Sequence, residues 1–280
     1  MLFSNFLIAS DLDGTFLNKS VGVVQRNLDA IARFRAKGGL FTVNTGRPHL
    51  TLSSSIPQVE QLLSAPSAHC NGAYLYNFQT GEFLLEEFLS PKDVADILTF
   101  SLSRHPDISL RAVRREQLLV YVPKGTPRPH VFGSEKGAAI FDLPAADWPL
   151  HDWYKVVYIG DPDRIAALRR DFTATFGERF GQTSSSARAL EVQLPHSSKA
   201  VGLDKLRRSS REMATRTIIA CGDYENDIPA LKVADIAICP ANAHPDVKAL
   251  CDFVLCDCDE GLIGDIVDAI EAGKIRPKQK

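Results

Sequence analysis

Two aspartates at the end of an apolar run constrain this chain more than any other feature. The run Phe6-Leu7-Ile8-Ala9 is typical of a buried parallel strand, and Asp11-Leu12-Asp13-Gly14-Thr15 follows it almost directly. In open α/β sheets, ligands bind just outside the carboxyl ends of the strands. Asp11 and Asp13 are two residues apart, so on an ideal strand they would share a face and repel each other unless a cation lies between them. The stretch predicts a ligand site, with an ordinary Asp-Gly turn as the alternative.

Length and composition indicate an ordinary globular protein. The 280 residues suffice for one large domain or two smaller ones, and 45% are hydrophobic and 24% charged. The formal net charge of −2 creates no strong field, so we expect neither nucleic acid nor a membrane as a partner. The apolar start lacks the features of a signal peptide, and no apolar run is long enough to span a bilayer. Six thinly spread cysteines are typical of reduced thiols, so a cytoplasmic location is expected.

A strand–helix–strand unit follows the acidic stretch. Val24 to Lys37 has the apolar spacing of a helix, and Leu40-Phe41-Thr42-Val43 is a second apolar strand. That strand continues into Asn44-Thr45-Gly46-Arg47-Pro48. A right-handed crossover would place this turn at the same sheet end as Asp11. A hydroxyl and backbone N–H groups there suit a phosphate oxygen, and a plain loop is the alternative.

The middle third of the chain predicts a different architecture. Two helical segments, from Ser90 to about Arg104 and from Asp161 to about Phe176, alternate with strand-like segments that fit antiparallel pairing. We therefore predict an α/β protein: a Rossmann-like parallel-sheet core made of residues 1–82 and 198–280, with an α+β domain inserted over residues 83–197.

The parallel pattern resumes after the insertion and brings a second acidic stretch. Thr217 to Cys221 is an apolar strand that ends at Gly222-Asp223-Tyr224-Glu225-Asn226-Asp227. Asp223 and Asp227 are four residues apart and would share a face if a helix starts there. With Asp11 and Asp13 they make four carboxylates, a cluster that is unstable without a hard cation, and oxygen ligands with open positions favour Mg²⁺.

A lysine could complete the cluster. Lys199 begins a helix that Ser198 caps, and at the same sheet end its ammonium could offset the charge of a phosphate. A solvated surface lysine is the alternative reading. Lys205 is the rival candidate, but it lies nearly two turns into the helix.

These motifs, taken in order, resemble the haloacid dehalogenase-like hydrolase superfamily, in particular its Cof-type phosphatases. The first motif, D-x-D-G-T, stands as Asp11 to Thr15, and the strand-ending threonine of the second stands as Thr45. The lysine motif stands as Ser198-Lys199, and the acidic motif G-D-x-x-N-D stands as Gly222 to Asp227. The branch's Asn-Gly-Ala turn is Asn71-Gly72-Ala73. The resemblance covers both ends of the chain and is weak in the middle third.

The resemblance implies a Mg²⁺-dependent phosphatase that hydrolyses a small phosphorylated metabolite, with a sugar phosphate expected, through an aspartyl-phosphate. Asp11 would be the nucleophile, and Asp13 would protonate the leaving alcohol and then deprotonate the water. The metal would be held by the Asp11 carboxylate, the Asp13 carbonyl and Asp223, with Asp227 in support. The phosphate would be held by Leu12 N–H, Thr45, Gly46, Lys199 and Asn226. The insertion would be the family's large cap, which determines substrate specificity.

Two alternatives remain at this stage. A phosphomutase of the same architecture would share Asp11 and Asp13 but would return the phosphoryl group to a sugar. A non-catalytic module, either a phospho-receiver or a member that only binds a metabolite, belongs to another class. Receivers lack such an insertion, and a dead member would usually have lost one of the motif residues, all of which are present here. The oligomeric state stays open.

Overall fold

The chain forms two compact units in a computed structural model, which describes residues 3–20, 22–129, 140–141, 144–184 and 186–277. Residues up to Glu86 and from Ser198 onward make the first unit, and Glu87–Ser197 make the second. The predicted first boundary, 82/83, lies four residues before the observed one, 86/87. The reason is that Glu82–Leu84 is a strand that pairs antiparallel with Tyr74–Asn77 of the first unit.

The described residues contain the following strands and helices in chain order. The strands are β1 Phe6–Ser10, β2 Leu40–Val43, β3 Ser67–His69, β4 Tyr74–Asn77, β5 Glu82–Leu84, β6 Ser109–Arg114, β7 Leu118–Tyr121, β8 Ile140–Phe141, β9 Trp153–Ile159, β10 Gly181–Thr183, β11 Ala189–Gln193, β12 Thr217–Cys221, β13 Ile236–Pro240 and β14 Phe253–Leu255. The α-helices are α1 Gln25–Ala36, α2 Leu52–Ser55, α3 Val59–Leu62, α4 Pro91–Arg104, α5 Pro162–Phe176, α6 Lys199–Ser209, α7 Arg211–Thr215, α8 Ile228–Val233, α9 Pro245–Lys248 and α10 Leu262–Glu271.

The first unit is built on a five-stranded parallel sheet in the order β14-β13-β12-β1-β2. Strand β1 lies inside it, and every residue of β1 is buried, which is why the strand consists of small and apolar side chains. Its register pairs Ser10 with Cys221 on one side and with Val43 on the other. The carboxyl ends of β2, β1 and β12 therefore lie side by side at one edge of the sheet. Helices α1 and α10 pack against each other over one face.

The second unit has a six-stranded sheet in the order β10-β11-β9-β6-β7-β8, antiparallel except for the β7–β8 pair. Alternate side chains of this sheet, such as Leu110 and Tyr158, join the apolar residues of α4 and α5 in one buried cluster. Local sequence determines where α4 begins, because Ser90 and Asp93 form a reciprocal capping box and Pro91 takes the first helical position. Together the two units confirm the predicted class, a parallel α/β core with an α+β insertion.

The stretch 49–66 differs from what its sequence alone predicts. The sequence of this stretch indicates a helix that Pro57 interrupts, but the chain forms a 3₁₀ turn at His49–Thr51 and two four-residue helices, α2 and α3. Gln58 lies between these helices with a left-handed φ of 54°, which no helix continues through. None of the helices in the described part of the chain has the length and hydrophobicity of a membrane span.

Candidate active site

Three neighbouring strand ends bring the predicted residues together. The backbone N–H of Asp11 donates to the carbonyl of Cys221 at 2.8 Å, so the end of β1 is pinned to the end of β12. The backbone N–H of Asn44 donates to the carbonyl of Ser10 at 2.9 Å, which pins the end of β2 in the same way. Asp11, Thr45 and Asp223 thus leave the sheet at one edge because the parallel register forces them to.

Lys199 lies between two of the aspartates. Its Nζ is 2.6 Å from Oδ1 of Asp11 and 2.5 Å from Oδ1 of Asp227, and all three side chains are almost fully buried. The start of α6 holds the lysine there: Ser198 caps the helix by accepting from Val201 N–H. The amide of Asn44 adds a hydrogen bond of 2.8 Å to the carbonyl of Lys199. The lysine therefore reaches the carboxylates from a fixed position.

The acidic loop after β12 is folded around Asp227. Oδ2 of Asp227 accepts from the backbone N–H groups of Asp223 and Tyr224, at 3.0 and 3.1 Å. A Cβ on Gly222 would lie 2.3 Å from Cβ and Cγ of Asp227, so this close approach requires glycine. Both carboxylate oxygens of Asp227 are engaged, one by Lys199 and one by the loop, which suits a supporting role.

Asp223 is oriented by the first acidic stretch. The hydroxyl of Thr15 donates to Oδ1 of Asp223 at 2.7 Å. Gly14 has a φ of +75°, and a Cβ there would meet Oδ2 of Asp223 at 2.6 Å. The amide of Asn242 donates to the carbonyl of Gly14 at 2.8 Å and helps to hold the turn. The glycine and threonine of the first motif thus make room for Asp223 and position it.

The remaining predicted residues line the same edge. Thr45 is buried, and its hydroxyl accepts from the N–H of Arg47 at 3.1 Å. A Cβ on Gly46 would come within 3.2 Å of the Asn71 side chain, so the loop passes close to the Asn-Gly-Ala turn. The side chain of Leu12 is fully buried between the two aspartates of the first motif. Asn226 is partly buried in the 3₁₀ turn Glu225–Asp227.

Asp13 stands apart from the buried carboxylates. Ligand oxygens of Asp11, Asp223 and Asp227 lie within 4.8 Å of one another and could hold a metal ion, whereas the Asp13 side chain is half exposed. It forms an ion pair with Arg47. Sequence reasoning did not assign a role to Arg47, although its position two residues after Thr45 was the available signal.

Lys205 makes a different contact from Lys199. It is equally buried, and its Nζ donates to the backbone carbonyl of Ala73 at 2.9 Å. This bond ties α6 to the Asn-Gly-Ala turn. At that turn Gly72 packs so closely that a Cβ would lie 2.5 Å from the backbone of Gly202. Of the two candidate lysines, Lys199 is therefore the one that touches the carboxylate cluster.

Burial dominates the electrostatics of the cluster. It raises the pKa of Asp11 well above the usual range; the ammonium of Lys199 opposes this rise, while Asp227, Asp13 and Asp223 add to it. Burial likewise raises the pKa of Asp223 to about 6. For Lys199, burial alone would lower the pKa, but Asp11 and Asp227 outweigh it and the net pKa is raised. Lys199 thus stays cationic, and the carboxylates would gain from a further cation.

Comparison with known proteins now identifies the family. The family profile described as haloacid dehalogenase-like hydrolase matches residues 8–266, which is nearly the whole chain. The chain belongs to the haloacid dehalogenase-like hydrolases. This membership confirms the family that the sequence motifs indicate. Its members are hydrolases, so the chain belongs to a family of enzymes.

The chain is also similar in sequence to named phosphatases and in fold to solved structures of other proteins. Pyridoxal phosphate phosphatase YbhA of Escherichia coli is 27% identical over 266 residues, covering 90% of this chain and 93% of the relative. The Bacillus subtilis 5-amino-6-(5-phospho-D-ribitylamino)uracil phosphatase YitU is 25% identical over 252 residues, covering 88% and 90%. A haloacid dehalogenase-like hydrolase from Bacteroides thetaiotaomicron has the same fold, with a TM-score of 0.80, 21% identity and coverage of 94% and 98%. The subclass IIB sugar phosphatase BT4131 also has this fold, with a TM-score of 0.78 and 19% identity. That match covers 97% of this chain and 100% of BT4131.

Proposed function

We propose that this hydrolase is a Mg²⁺-dependent phosphatase that hydrolyses a small phosphorylated metabolite through an aspartyl-phosphate. The observation that carries the proposal is the position of Lys199, whose ammonium lies between Asp11 and Asp227, two of the three clustered carboxylates that also include Asp223. A nucleophilic carboxylate, a fixed cation and a cluster of further carboxylates are what phosphoryl transfer to an aspartate requires.

The residues fit a divalent cation. Three carboxylates offer oxygens within 4.8 Å of one another. Burial raises the pKa of two of them, Asp11 and Asp223, because their negative charges are costly there, and a bound cation would offset that cost. Mg²⁺ would be held by the Asp11 carboxylate, the Asp13 carbonyl and Asp223, while Asp227 holds the loop and Lys199. When bound, the metal supplies positive charge that offsets the charge of the phosphoryl oxygens.

The side chains of this chain then divide the chemistry. Asp11 attacks phosphorus, and the bond to the leaving oxygen breaks as Asp13 gives that oxygen a proton. In the second step Asp13 takes a proton from the water that attacks the aspartyl-phosphate. Lys199, the hydroxyl of Thr45 and backbone N–H groups of Leu12 and Gly46 hold the phosphoryl oxygens, with Asn226 nearby in the acidic loop.

Hydrolysis tests this proposal directly. We expect turnover of p-nitrophenyl phosphate that stops with chelator and returns with Mg²⁺, and acid-quenched protein should carry a phosphoryl group detectable by mass spectrometry. Asp11→Asn keeps the shape but removes the attacking charge, so it should abolish turnover and the adduct while the fold is retained. Full activity of metal-free protein, or wild-type turnover of Asp11→Asn, would contradict the proposal. Isomerisation of a sugar phosphate, stimulated by a bisphosphorylated sugar, would favour a phosphomutase instead.

We further propose that the second unit is a cap that selects the substrate. The support is the face of its sheet that α4 and α5 do not cover. Leu110, Tyr158 and Val192 point to the helices, so the residues that alternate with them, including Arg111, Lys155 and Glu191, belong to the opposite face. Lys155 and Glu191 form a buried ion pair of 2.5 Å there. Such polar groups suit a hydroxyl-rich leaving group such as a sugar, the expected substrate class.

A truncation separates selectivity from chemistry. Replacing residues 89–190 with a short linker should leave a core that binds Mg²⁺ in calorimetry but no longer ranks substrates. Its kcat/KM for the best substrate in a screen of phosphorylated sugars, nucleotides and cofactors should fall towards that for p-nitrophenyl phosphate. A well-folded core that keeps the full ranking would show that the insertion does not determine specificity.

A further inference from the structure

Arg47 grips both oxygens of the Asp13 carboxylate. Its Nε donates to Oδ2 at 2.8 Å, and its Nη2 donates to Oδ1. This bidentate contact suits a planar guanidinium, which can donate two parallel hydrogen bonds to a carboxylate, whereas a lysine ammonium cannot. It fixes the plane of the carboxylate as well as its distance.

Arg47 is itself held from several sides. Its Nη1 donates to the hydroxyl of Ser55 on α2 at 2.8 Å, and its backbone N–H donates to the hydroxyl of Thr45 at 3.1 Å. Its carbonyl accepts from Nδ1 of His69 at 3.0 Å, a nitrogen that must carry a proton to donate to a carbonyl. Burial lowers the pKa of His69 to about 3, so His69 is neutral at pH 7. Its other nitrogen, Nε2, lies 2.7 Å from the hydroxyl oxygen of Ser67. A residue anchored at its backbone and at its tip presents its guanidinium in one place.

Asp13 needs such a partner more than the other aspartates do. Asp11 and Asp227 are buried and fixed by Lys199, and Asp223 is fixed by Thr15, whereas 54% of the Asp13 side chain is exposed. An exposed aspartate can rotate among staggered positions. A group that transfers a proton must stay within hydrogen-bond reach of the leaving oxygen.

We propose that Arg47 is a positioning residue for Asp13, holding its carboxylate in the orientation from which it serves the leaving oxygen. The inference rests on the proposed function, since it takes Asp13 as the general acid and base. Arg47 keeps its own charge and protons throughout. The proton moves from Asp13 to the leaving oxygen as the P–O bond breaks, and returns from water in the second step.

The test compares two substrates that differ in their need for an acid. p-Nitrophenyl phosphate has a leaving group that departs without a proton, whereas an alkyl phosphate such as glycerol 3-phosphate requires one. Asp13 also acts as the base of the second step, so the comparison uses the first step alone, measured as the pre-steady-state rate of leaving-group release at saturating substrate. Asp13→Asn should lower this rate strongly for the alkyl phosphate and weakly for the aryl phosphate. Arg47→Ala should show the same selectivity, with the rate for the alkyl phosphate falling roughly ten- to a hundredfold, the scale of a misplaced catalytic group, and with the half-saturating substrate concentration nearly unchanged.

Two further variants keep the inference falsifiable. Arg47→Lys preserves the charge and the stem but cannot grip both oxygens, so it should not restore the alkyl-phosphate rate; it also serves if Arg47→Ala folds poorly. The double variant Asp13→Asn with Arg47→Ala should lose no more than Asp13→Asn alone.

The outcomes separate this inference from the proposed function. Equal losses on both substrates in Arg47→Ala, or additive losses in the double variant, would overturn the positioning role and indicate that Arg47 acts elsewhere, for example on the phosphate. If Asp13→Asn itself loses equally on both substrates, the acid role of Asp13 fails and the inference falls with it. If the wild-type protein shows no Mg²⁺-dependent turnover of either substrate, the proposed function itself is refuted.

Discussion

Two buried lysines on one helix allow a sharply matched experiment. Lys199 and Lys205 both lie on α6 and are each about 1% exposed, but Lys199 lies between Asp11 and Asp227, whereas Lys205 donates to the backbone carbonyl of Ala73. Methionine has a similar length and no charge, so Lys199→Met and Lys205→Met remove the ammonium with little change in volume.

The two variants should differ in both stability and turnover. Lys199→Met leaves two buried carboxylates without their cation, and breaking a buried pair in this way costs about 3–5 kcal/mol of unfolding free energy. Lys205→Met leaves a buried carbonyl without its ammonium donor, at a cost of about 1–3 kcal/mol. Turnover per folded molecule should fall roughly 10²–10³-fold in Lys199→Met and stay near the wild-type value in Lys205→Met. Because Lys205 is buried, Lys205→Met should lower stability, but it should leave turnover nearly unchanged.

Urea denaturation at several pH values adds a signature that only the carboxylate pair can produce. The pKa of Asp11 is already raised in the folded protein, and it rises further without Lys199. A carboxyl group with a raised folded-state pKa binds more protons folded than unfolded, so its stability contribution is lost as pH rises. The stability deficit of Lys199→Met, measured without metal, should therefore shrink as the pH is lowered. A turnover loss confined to Lys205→Met, or a deficit of Lys199→Met that ignores pH, would refute the assignment of Lys199 to the cluster.

Two further predictions follow from buried titrating groups. Because burial raises the pKa of Asp223 to about 6, Mg²⁺ must displace at least one proton below that pH, and the Kd from calorimetry should rise by at least about tenfold per pH unit below 6; a flat Kd would exclude Asp223 as a ligand. His69 has a folded-state pKa of about 3, so below its unfolded pKa of about 6.5 the unfolded chain binds a proton that the folded protein refuses. Stability should fall by about 2 kcal/mol from pH 8 to pH 5 for this reason, and His69→Gln should have a correspondingly shallower slope in urea titrations; equal slopes would contradict the neutral, buried histidine.

The core of the fold could be predicted from the sequence because buried parallel strands leave a strong signal. Strand β1 lies between two neighbours and is covered on both faces, so its residues must be apolar or small along their whole length. The expected strand at residues 6–9 is observed as Phe6–Ser10, and the acidic stretch follows at once. Strand ends in such sheets collect the ligand groups, so the amino-acid sequence alone leads one to expect Asp11, Thr45 and Asp223 at one edge.

The stretch from 49 to 66 shows where sequence reasoning fails. Its composition permits a helix on either side of Pro57, but four-residue helices have almost no intrinsic stability and form only where tertiary contacts hold them. Buried Leu52 and Val59 supply those contacts, and Gln58 takes a left-handed conformation to join the two short helices. None of these three facts has a local signal, because each depends on the rest of the core.

Ion pairs between residues far apart in the chain could not be predicted from the sequence for a related reason. The contact of Arg47 with Asp13 joins residues 34 apart in the chain, and nothing near either residue specifies it. By contrast, helix geometry alone predicts that Lys199 and Lys205 cannot both reach the carboxylates. Six residues of α-helix advance about 9 Å and turn about 240° beyond one full revolution, so two side chains at that spacing cannot reach the same carboxylates. Once the Ser198 cap places Lys199 at the sheet edge, Lys205 must serve a different part of the core, and its bond to Ala73 is what that geometry allows.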